Sequence, residues 1–505
     1  MPIALFSVAD KSGLTDFART LTGLGWEFVA SGGTAKALSQ AGLAVTEVAN
    51  LTKAPEMLGG RVKTLHPVIH GGILARDTES DRAELAQHGI QAIDLVVCNL
   101  YPFQQTIAKP NVSLEDAIEN IDIGGVALLR AAAKNYSRVA VICDPADYAA
   151  VADEIKASGV VSAERRAALA RKAFAHTANY DAAIAGYLAG LSGETLPPTL
   201  ALSLSKVQEM RYGENPHQAA ALYAADPAIG PLGGTLLQGK PLSYNNMLDL
   251  DAAWQAAQSF QETCAVIVKH LSPCGLATAQ DLVTAYTQAL ASDPTSAYGG
   301  VIAVNREFDE ATAKALGSLF IEAIAAPAFS ATAREVLAKR TNCRLVEIAK
   351  PIKATLELRA VAGGLLAQQR DPGDPPDTDW KVATQRQPTA DETAALKFAW
   401  KAVQYVKSNA IVLAAGTATV GIGGGLTSRV DASKLAASKA GEQAKGAVLA
   451  SDAFFPFPDG VEAAAEVGVT AIIQPGGSIR DKEVIETADR LGLTMVFTGV
   501  RHFRH

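Results

Sequence analysis

Ser31-Gly32-Gly33-Thr34 follows an apolar run and opens a helical pattern. Free backbone N–H groups at such a start, with the helix dipole behind them, suit a phosphate, and the glycines let it come close. A plain strand-to-helix turn capped by Ser or Thr fits the same residues. Ser7-Val8-Ala9-Asp10-Lys11-Ser12-Gly13 is a matching loop after the first apolar run, at the edge where open α/β sheets place ligands. Two such loops at one edge point to a phosphorylated small molecule.

A second group of strings carries charge. In Gly59-Gly60-Arg61-Val62-Lys63-Thr64-Leu65-His66-Pro67, with His70-Gly71-Gly72 behind it, cations stand among glycines in a predicted loop. Such a loop binds an anion or oxyanion if it faces the sheet edge, and is otherwise a solvated basic loop. Asn99-Leu100-Tyr101-Pro102-Phe103 follows a predicted strand, and Ile121-Asp122-Ile123-Gly124-Gly125 starts the helix that carries Lys134. Asp122 and Lys134 lie about three turns apart, so they are not a local pair and only bending or folding can join them.

Lys269-His270-Leu271-Ser272-Pro273-Cys274-Gly275 ends a buried apolar run, and puts an imidazole that titrates near neutrality beside a cation. A structural histidine fits there too. Arg211-Tyr212-Gly213-Glu214-Asn215-Pro216-His217-Gln218 and Tyr244-Asn245-Asn246 are polar, turn-rich and aromatic, as ligand loops are. The end of the chain, Arg501-His502-Phe503-Arg504-His505, is basic and aromatic and is either a frayed tail or a docked one.

These strings need elements to position them. Apolar runs at 3–8, 26–30 and 44–48 alternate with helical patterns at 14–24 and 34–41. The rhythm continues through a strand at 94–99, helices at 113–119 and 125–134, and a strand at 139–143. That is the pattern of a parallel sheet wrapped by helices, a doubly wound α/β domain. A long Ala-rich helix is predicted over 163–191, stopped by Ser192-Gly193 and Pro197-Pro198, which places a domain boundary near 196–200. Beyond it, strands are predicted at 202–208 and 265–269 and a helix at 248–260.

Val268-Lys269, Ala291-Ser292-Asp293 and the apolar 301–304 are echoed by Val406-Lys407, Ala450-Ser451-Asp452 and the apolar 469–473. A duplicated α/β unit and chance both account for matches this short. The Pro-, Gly- and Asp-rich stretch 371–378 is the natural connector between the copies.

Composition narrows the class. At 505 residues the chain has room for roughly three domains at about 150 residues each. Its 49% hydrophobic and 19% charged residues fit a soluble globular protein and exclude disordered or collagen-like chains. A net charge of -7 without runs of like charge argues against a nucleic-acid surface. Five scattered cysteines without a C-x-x-C pair indicate neither a disulfide framework nor a Cys-rich zinc site, and suggest a reducing compartment. No basic leader and no apolar run of about 18–20 residues is present, so a cytoplasmic protein without a membrane span is expected.

Taken in order, SVADKSGL, ASGGTAKAL, GGRVKTLHPVIHGGILAR, CNLYPF, IDIGGVALLRAAAKN, RYGENPHQ, VKHLSPCG, VKSNAIVLA, SDAFFPFPDG and QPGGSIRD resemble, from end to end, the bifunctional purine-biosynthesis family that joins AICAR transformylase to IMP cyclohydrolase. The resemblance implies that AICAR takes a formyl group from the co-substrate 10-formyltetrahydrofolate, and that formyl-AICAR then closes to IMP with loss of water. It implies a methylglyoxal-synthase-like doubly wound parallel sheet over 1–197 for ring closure. Two tandem cytidine-deaminase-like α/β domains, 198–375 and 376–505, follow for formyl transfer. It also implies a homodimer.

Residue roles carry over at matching positions. Ser7, Lys11, Ser31, Gly32, Gly33 and Thr34 would cradle the 5'-phosphate, with Asn99 in the same substrate-binding set. Lys63, with Arg61 and Thr64, would serve the oxyanion and phosphate side, and Tyr101, Asp122 and Lys134 would orient the substrate and relay protons. A carboxylate near two lysines is expected to stay ionised, making Asp122 an acceptor. For formyl transfer His270 would accept the amine proton, while Lys269 would stabilise the oxyanion or help protonate N10. Arg211 and Tyr212 match nucleotide-binding positions, Asn246 and Asn409 amide-reading ones, and Phe454, Pro456 and Asp459 a folate-side loop. Arg501, Phe503 and His505 resemble a tail that enters the nucleotide site, with His502 and Arg504 unassigned. Pro273-Cys274-Gly275 lacks the second cysteine of the deaminase zinc signature, so no catalytic metal is expected. Rival readings are a chain that keeps only one of the two activities, and a non-catalytic purine-nucleotide-binding protein.

Overall fold

Ile3–Val8 is apolar at nearly every position and forms β1, the middle strand of the first sheet in a computed structural model that describes all residues except 56, 59, 60, 226–229 and 351–354. Two units divide the chain, Met1–Ser203 and Leu204–His505.

In the first unit β1 is joined by β2 (Glu27–Ala30), β3 (Thr46–Glu47), β4 (Leu95–Asn99) and β5 (Ala140–Ile142). All pairings are parallel and the order is β3-β2-β1-β4-β5. Strands buried on both faces read as unbroken apolar runs, which is why the sequence shows them so clearly. The chain winds outward from β1 to β3 and returns to β4, so a switch point opens between the carboxyl ends of β1 and β4. The loops after β1, β2 and β4 all leave from that edge.

Two local expectations change here. The predicted strand over 44–48 shrinks to β3, followed by the helix Val48–Thr52. The basic stretch read as a loop becomes the helix Pro67–Leu74 from its middle onward. Pro67 sits at the first helical position, where a missing N–H costs nothing, and His66 caps it by accepting the Val68 N–H at 3.2 Å. The Ala-rich helix runs over Ala163–Leu191 and ends at Ser192, followed by Gly193 in the left-handed conformation that closes helices.

The second unit contains a hairpin, β6 (Ser205–Met210) with β7 (Ala220–Ala224), and a larger sheet. β6 lies a few residues later than the predicted strand. The larger sheet takes β8 (Thr235–Gln238), β9 (Thr263–Lys269), β10 (Ser272–Ala279), β11 (Gly300–Val304), β12 (Ile321–Ala326) and β13 (Arg344–Glu347). The hairpin β14 (Leu356–Val361) and β15 (Gly364–Gln369) stands apart. Then come β16 (Lys381–Val382), β17 (Ile411–Ala415), β18 (Ala418–Gly423), β19 (Val448–Ser451), β20 (Ala471–Gln474) and β21 (Thr494–Phe497).

The twelve strands order as β16-β21-β20-β19-β17-β18-β10-β9-β11-β12-β13-β8. Each half runs helix, antiparallel hairpin, helix, then three strands separated by helices. The halves meet where β10 and β18 pair antiparallel at Ala277 and Ala418. A duplicated unit is therefore present in element order, but the short sequence matches do not mark it. Val268-Lys269 end β9 whereas Val406-Lys407 precede β17, and Ala291-Ser292 end a helix whereas Ala450-Ser451 end β19.

Alternation divides the core by face. Cys264, Val266 and Val268 of β9 enter a core that both halves share with the helices Tyr244–Gln258 and Ala390–Val403, while Ala265 and Ile267 enter one private to the first half. The shared core binds the two halves into one unit.

Candidate active sites

In the first unit the expected phosphate residues gather at the switch point. Ser7 and Ser31 bring their Oγ atoms to 3.3 Å, and Ser31 starts the helix Gly32–Gln40 without using its side chain as a cap. Gly32 has φ +46°, and a Cβ there would stand 3.0 Å from Lys63 Nζ; one on Gly33 would stand 3.9 Å from Lys11 Nζ. Two ammonium groups thus flank a glycine pair at a helix start, the arrangement that suits a phosphate.

Other members of the set hold the frame. The Thr34 hydroxyl accepts the Val8 N–H at 3.1 Å and donates to the Val8 carbonyl at 3.2 Å. Asn99 Oδ1 accepts the Ala9 and Asp10 N–H groups at 2.6 and 2.9 Å, and its Nδ2 donates to the Asp10 carbonyl. Its amide pins the loop that carries Lys11. Thr64 is buried, with Oγ1 where a Cβ on Gly124 would collide, so that glycine lets the Lys63–Thr64 turn approach the helix Gly124–Lys134. Arg61 is exposed and ion-paired with Glu119. Gly59 and Gly60 lie outside the described residues. Burial pushes the half-buried His70 imidazole down, against a backbone hydrogen bond at Thr64.

Asp122 departs from expectation. Burial pushes its carboxyl up, and the N–H groups of Gly125 (2.7 Å) and Tyr101 (3.4 Å) pull it back without cancelling the rise. The expected lysine pair is not what sets it. Tyr180 steadies it by accepting the Asp122 N–H at 2.8 Å and donating to the Asn120 carbonyl. Tyr101, which reaches it through its backbone N–H, is itself exposed. Lys134 closes the same helix at its far end, about 15 Å away at 1.5 Å per residue, so within this chain it does not join Asp122.

In the second unit the sheet order places the remaining residues on one edge. β9 and β17 run antiparallel to each other through β10 and β18, so the carboxyl end of β9, with Lys269 and His270, shares an edge with the amino end of β17, just after Asn409. Three strand spacings separate them, about 14 Å. β19 and β21 run parallel to β9, and the segments that follow them, 452–459 and 498–505, leave from this edge too.

Asn409, Phe454, Pro456, Asp459, Arg501 and Phe503 line one cavity of about 570 Å³ there. Arg429 joins them, a residue that sequence reasoning missed. Its guanidinium donates to Asp452 Oδ1 at 2.5 Å, to the Ser451 hydroxyl at 2.8 Å and to Asn409 Oδ1 at 2.9 Å. Asn409 Nδ2 donates to the Leu426 carbonyl, so its amide is oriented from both ends. The pattern Ser428-x-x-Asp431, a helix start confirmed by the Ser428 cap, was the available signal.

The chain end is docked. His502 is 2% exposed, with Nδ1 2.6 Å from Asp371 and Nε2 2.7 Å from Asp374, so the connector 371–378 also serves as a clasp. Arg501 lies over the Phe503 ring, and His505 packs edge-on against it.

Lys269 and His270 do not line the cavity. Lys269 Nζ donates to the Tyr298 carbonyl at 2.7 Å. Asn246 spends its Oδ1 on a capping box with Ser243, which leaves Nδ2 for a ligand. Arg211 lies over the ring of its neighbour Tyr212 in the loop after β6. Burial pushes the Cys274 thiol up to about 11, so it is a protonated core residue, and among the described residues no group of three or more His, Cys, Asp or Glu could hold a metal. Likewise no described helix is long and apolar enough to cross a membrane.

Two family models and two curated relatives match the chain, the relatives over 99% of it. The family model of the AICARFT/IMPCHase bienzyme matches residues 132–439, and that of the MGS-like domain matches residues 13–127. The bifunctional purine biosynthesis proteins PurH of two strains of Desulfitobacterium hafniense, DSM 10664 / DCB-2 and Y51, are each 51% identical over 514 residues, covering 99% of this chain and 99% of theirs. The crystal structure of ForH matches at 41% identity with a TM-score of 0.34, over 37% of this chain and 98% of its own.

Proposed function

The chain belongs to the AICARFT/IMPCHase bienzyme family, and from that membership we propose which residues carry each of its two reactions. It is a bifunctional enzyme of purine synthesis, transferring a formyl group from 10-formyltetrahydrofolate to AICAR and closing formyl-AICAR to IMP with loss of water. We assign ring closure to Met1–Ser203 and formyl transfer to Leu204–His505. The observation that carries the first assignment is the pair of ammonium groups, Lys11 and Lys63, around Gly32-Gly33 at the switch point.

In ring closure the carboxamide nitrogen attacks the formyl carbon, so the site must fix a rotamer, stabilise an oxyanion and move protons. Ser7, Ser31 and the glycine pair anchor the phosphate with Lys11, and Lys63 serves the phosphate and oxyanion side. Asp122, its carboxyl pushed up by burial, is suited to take a proton and give it back. Lys134 joins that group only if a second copy brings it there, which makes the homodimer part of the proposal.

In formyl transfer the attacking amine is weak because its lone pair is delocalised, and N10 needs a proton to leave. His270 accepts the amine proton and Lys269 supports the oxyanion or N10. The aromatic faces of Phe454, Phe457 and Phe503, with Asp459 and Arg501, fit a flat folate ring with polar edges beside an anionic nucleotide. Five buried free cysteines suit a reducing cytoplasm.

Incubating the full-length protein with AICAR and 10-formyltetrahydrofolate, and separating the products over time, tests this reading. IMP should form through formyl-AICAR. Formyl-AICAR alone would overturn the ring-closure assignment, and no product would return the weight to a nucleotide-binding protein.

A further inference from the structure

β9 and β10 are joined by only two residues, His270 and Leu271, with Lys269 and Ser272 paired across the hairpin. Both have positive φ, +56° for His270 and +61° for Leu271. Positive φ at both positions is the type I′ turn, one of the two that match the twist of a two-residue hairpin's strands, and Asn-Gly is its usual solution. A Cβ crowds the following carbonyl there, and neither residue is Gly, Asn or Asp.

A carboxylate holds the turn from outside. Asp249 Oδ2 accepts the His270 N–H at 3.1 Å, and Oδ1 accepts the Leu271 N–H at 2.7 Å. Asp249 stands on the helix Tyr244–Gln258, one turn beyond Asn246, whose capping box fixes the start of that helix. The grip is thus mounted on a rigid element packed against the sheet. It takes hold of backbone, and so sets the direction in which the imidazole leaves the turn. Lys269 is tethered separately, to the Tyr298 carbonyl.

We propose that Asp249 is a positioning residue for formyl transfer: by taking both N–H groups of the His270–Leu271 turn, it keeps the His270 ring aimed from the sheet edge in a conformation two side-chain-bearing residues would otherwise leave. Strained backbone persists where the surroundings over-determine it, and here the over-determining group is identified. The inference rests on His270 acting in formyl transfer. A carboxylate is required because an amide offers one acceptor oxygen and would turn donors toward an N–H.

The test uses the full-length protein and its Asp249→Ala, Asp249→Asn, Leu271→Gly, Asp249→Ala/Leu271→Gly and His270→Ala variants. Formyl transfer is read as kcat and KM, and denaturant unfolding of each variant checks that Leu204–His505, the unit that carries the substitutions, is intact. Asp249→Ala should lower kcat of formyl transfer about 10- to 100-fold with KM within about twofold, as a displaced catalytic group does, and Asp249→Asn should follow it. Glycine holds the left-handed region without strain, so the double variant should recover about tenfold over Asp249→Ala, a rescue that a merely structural aspartate would not show. Wild-type kcat in Asp249→Asn beside an inactive His270→Ala would overturn the proposal, as would a loss that Leu271→Gly leaves untouched. An active His270→Ala would overturn the underlying reading of the site instead. Should Asp249→Ala not fold, the isosteric Asp249→Asn carries the same decision.

Discussion

His502 Nε2 lies 2.7 Å from Asp374 Oδ1, across 128 residues of chain. Asp374 also accepts the indole N–H groups of Trp400 and Trp380, and Asp371 takes the other ring nitrogen of His502. The residues on either side of His502, Arg501 and Phe503, form a wall of the 570 Å³ cavity. The tail, which the family resemblance implies enters the nucleotide site, is therefore held by a charged clasp.

The clasp predicts a pH dependence. Burial alone would push the imidazole down, but the hydrogen bonds and charges of Asp371 and Asp374 outweigh it and raise it to about 9. An unfolded histidine titrates near ~6.5. Because the folded value is the higher, the stabilisation is full below about pH 6.5 and is lost as pH rises through about 9. Hydrogen exchange of the tail amides should speed up, and the KM of formyl transfer should rise, as pH passes about 9. His502→Gln should show weak docking at every pH without that step, and a wild-type KM flat across the window would contradict the clasp.

Gly32 predicts a selective defect. With φ +46° and Lys63 Nζ 3.0 Å from where a Cβ would sit, Gly32→Ala should cost about 1 kcal/mol of stability or more. It should also displace the ammonium. Steady-state assays should find the KM of ring closure raised about tenfold and formyl transfer unchanged. Equal ring-closure kinetics would remove the phosphate assignment.

Arg429 and Asp452 are a buried pair, with side chains 6% and 0% exposed. Arg429→Met leaves Asp452 in the core without its cation and should destabilise the second unit by about 3–5 kcal/mol. Adding Asp452→Leu should return much of that, because two apolar groups bury more cheaply than one unpaired charge. Denaturant unfolding reads both. Asn409 loses the donor that orients its amide in either variant, so the KM for AICAR should stay raised even where stability returns.

Legibility followed physical locality. Unbroken apolar runs made β1 plain, and Ala-rich composition with a Ser-Gly stop made Ala163–Leu191 plain, because both signals lie within the elements they describe. The helix Tyr244–Gln258 was placed four residues late because its start is written in the capping box Ser243/Asn246, before the apolar periodicity begins. Pro67–Leu74 was hidden by Gly71 and Gly72, which read as loop although a Cβ on Gly72 would collide with the Gln91 carbonyl at 2.5 Å, so the close approach requires glycine there. The family strings located candidate residues, and helical spacing put Lys134 about three turns from Asp122, as the helix Gly124–Lys134 has it. Neither found Arg429 or His502, whose partners lie up to 131 residues away and are brought together only by the sheet order.

The most direct test of the central claim, two separate active sites in one chain, is a product time course for Lys63→Ala and Lys269→Ala given AICAR and 10-formyltetrahydrofolate, and then formyl-AICAR alone. Lys63→Ala should accumulate formyl-AICAR with little IMP, while Lys269→Ala should make no formyl-AICAR yet convert the added intermediate to IMP at the wild-type rate. IMP at the wild-type rate from Lys63→Ala, or loss of both activities in Lys269→Ala, would contradict the assignment.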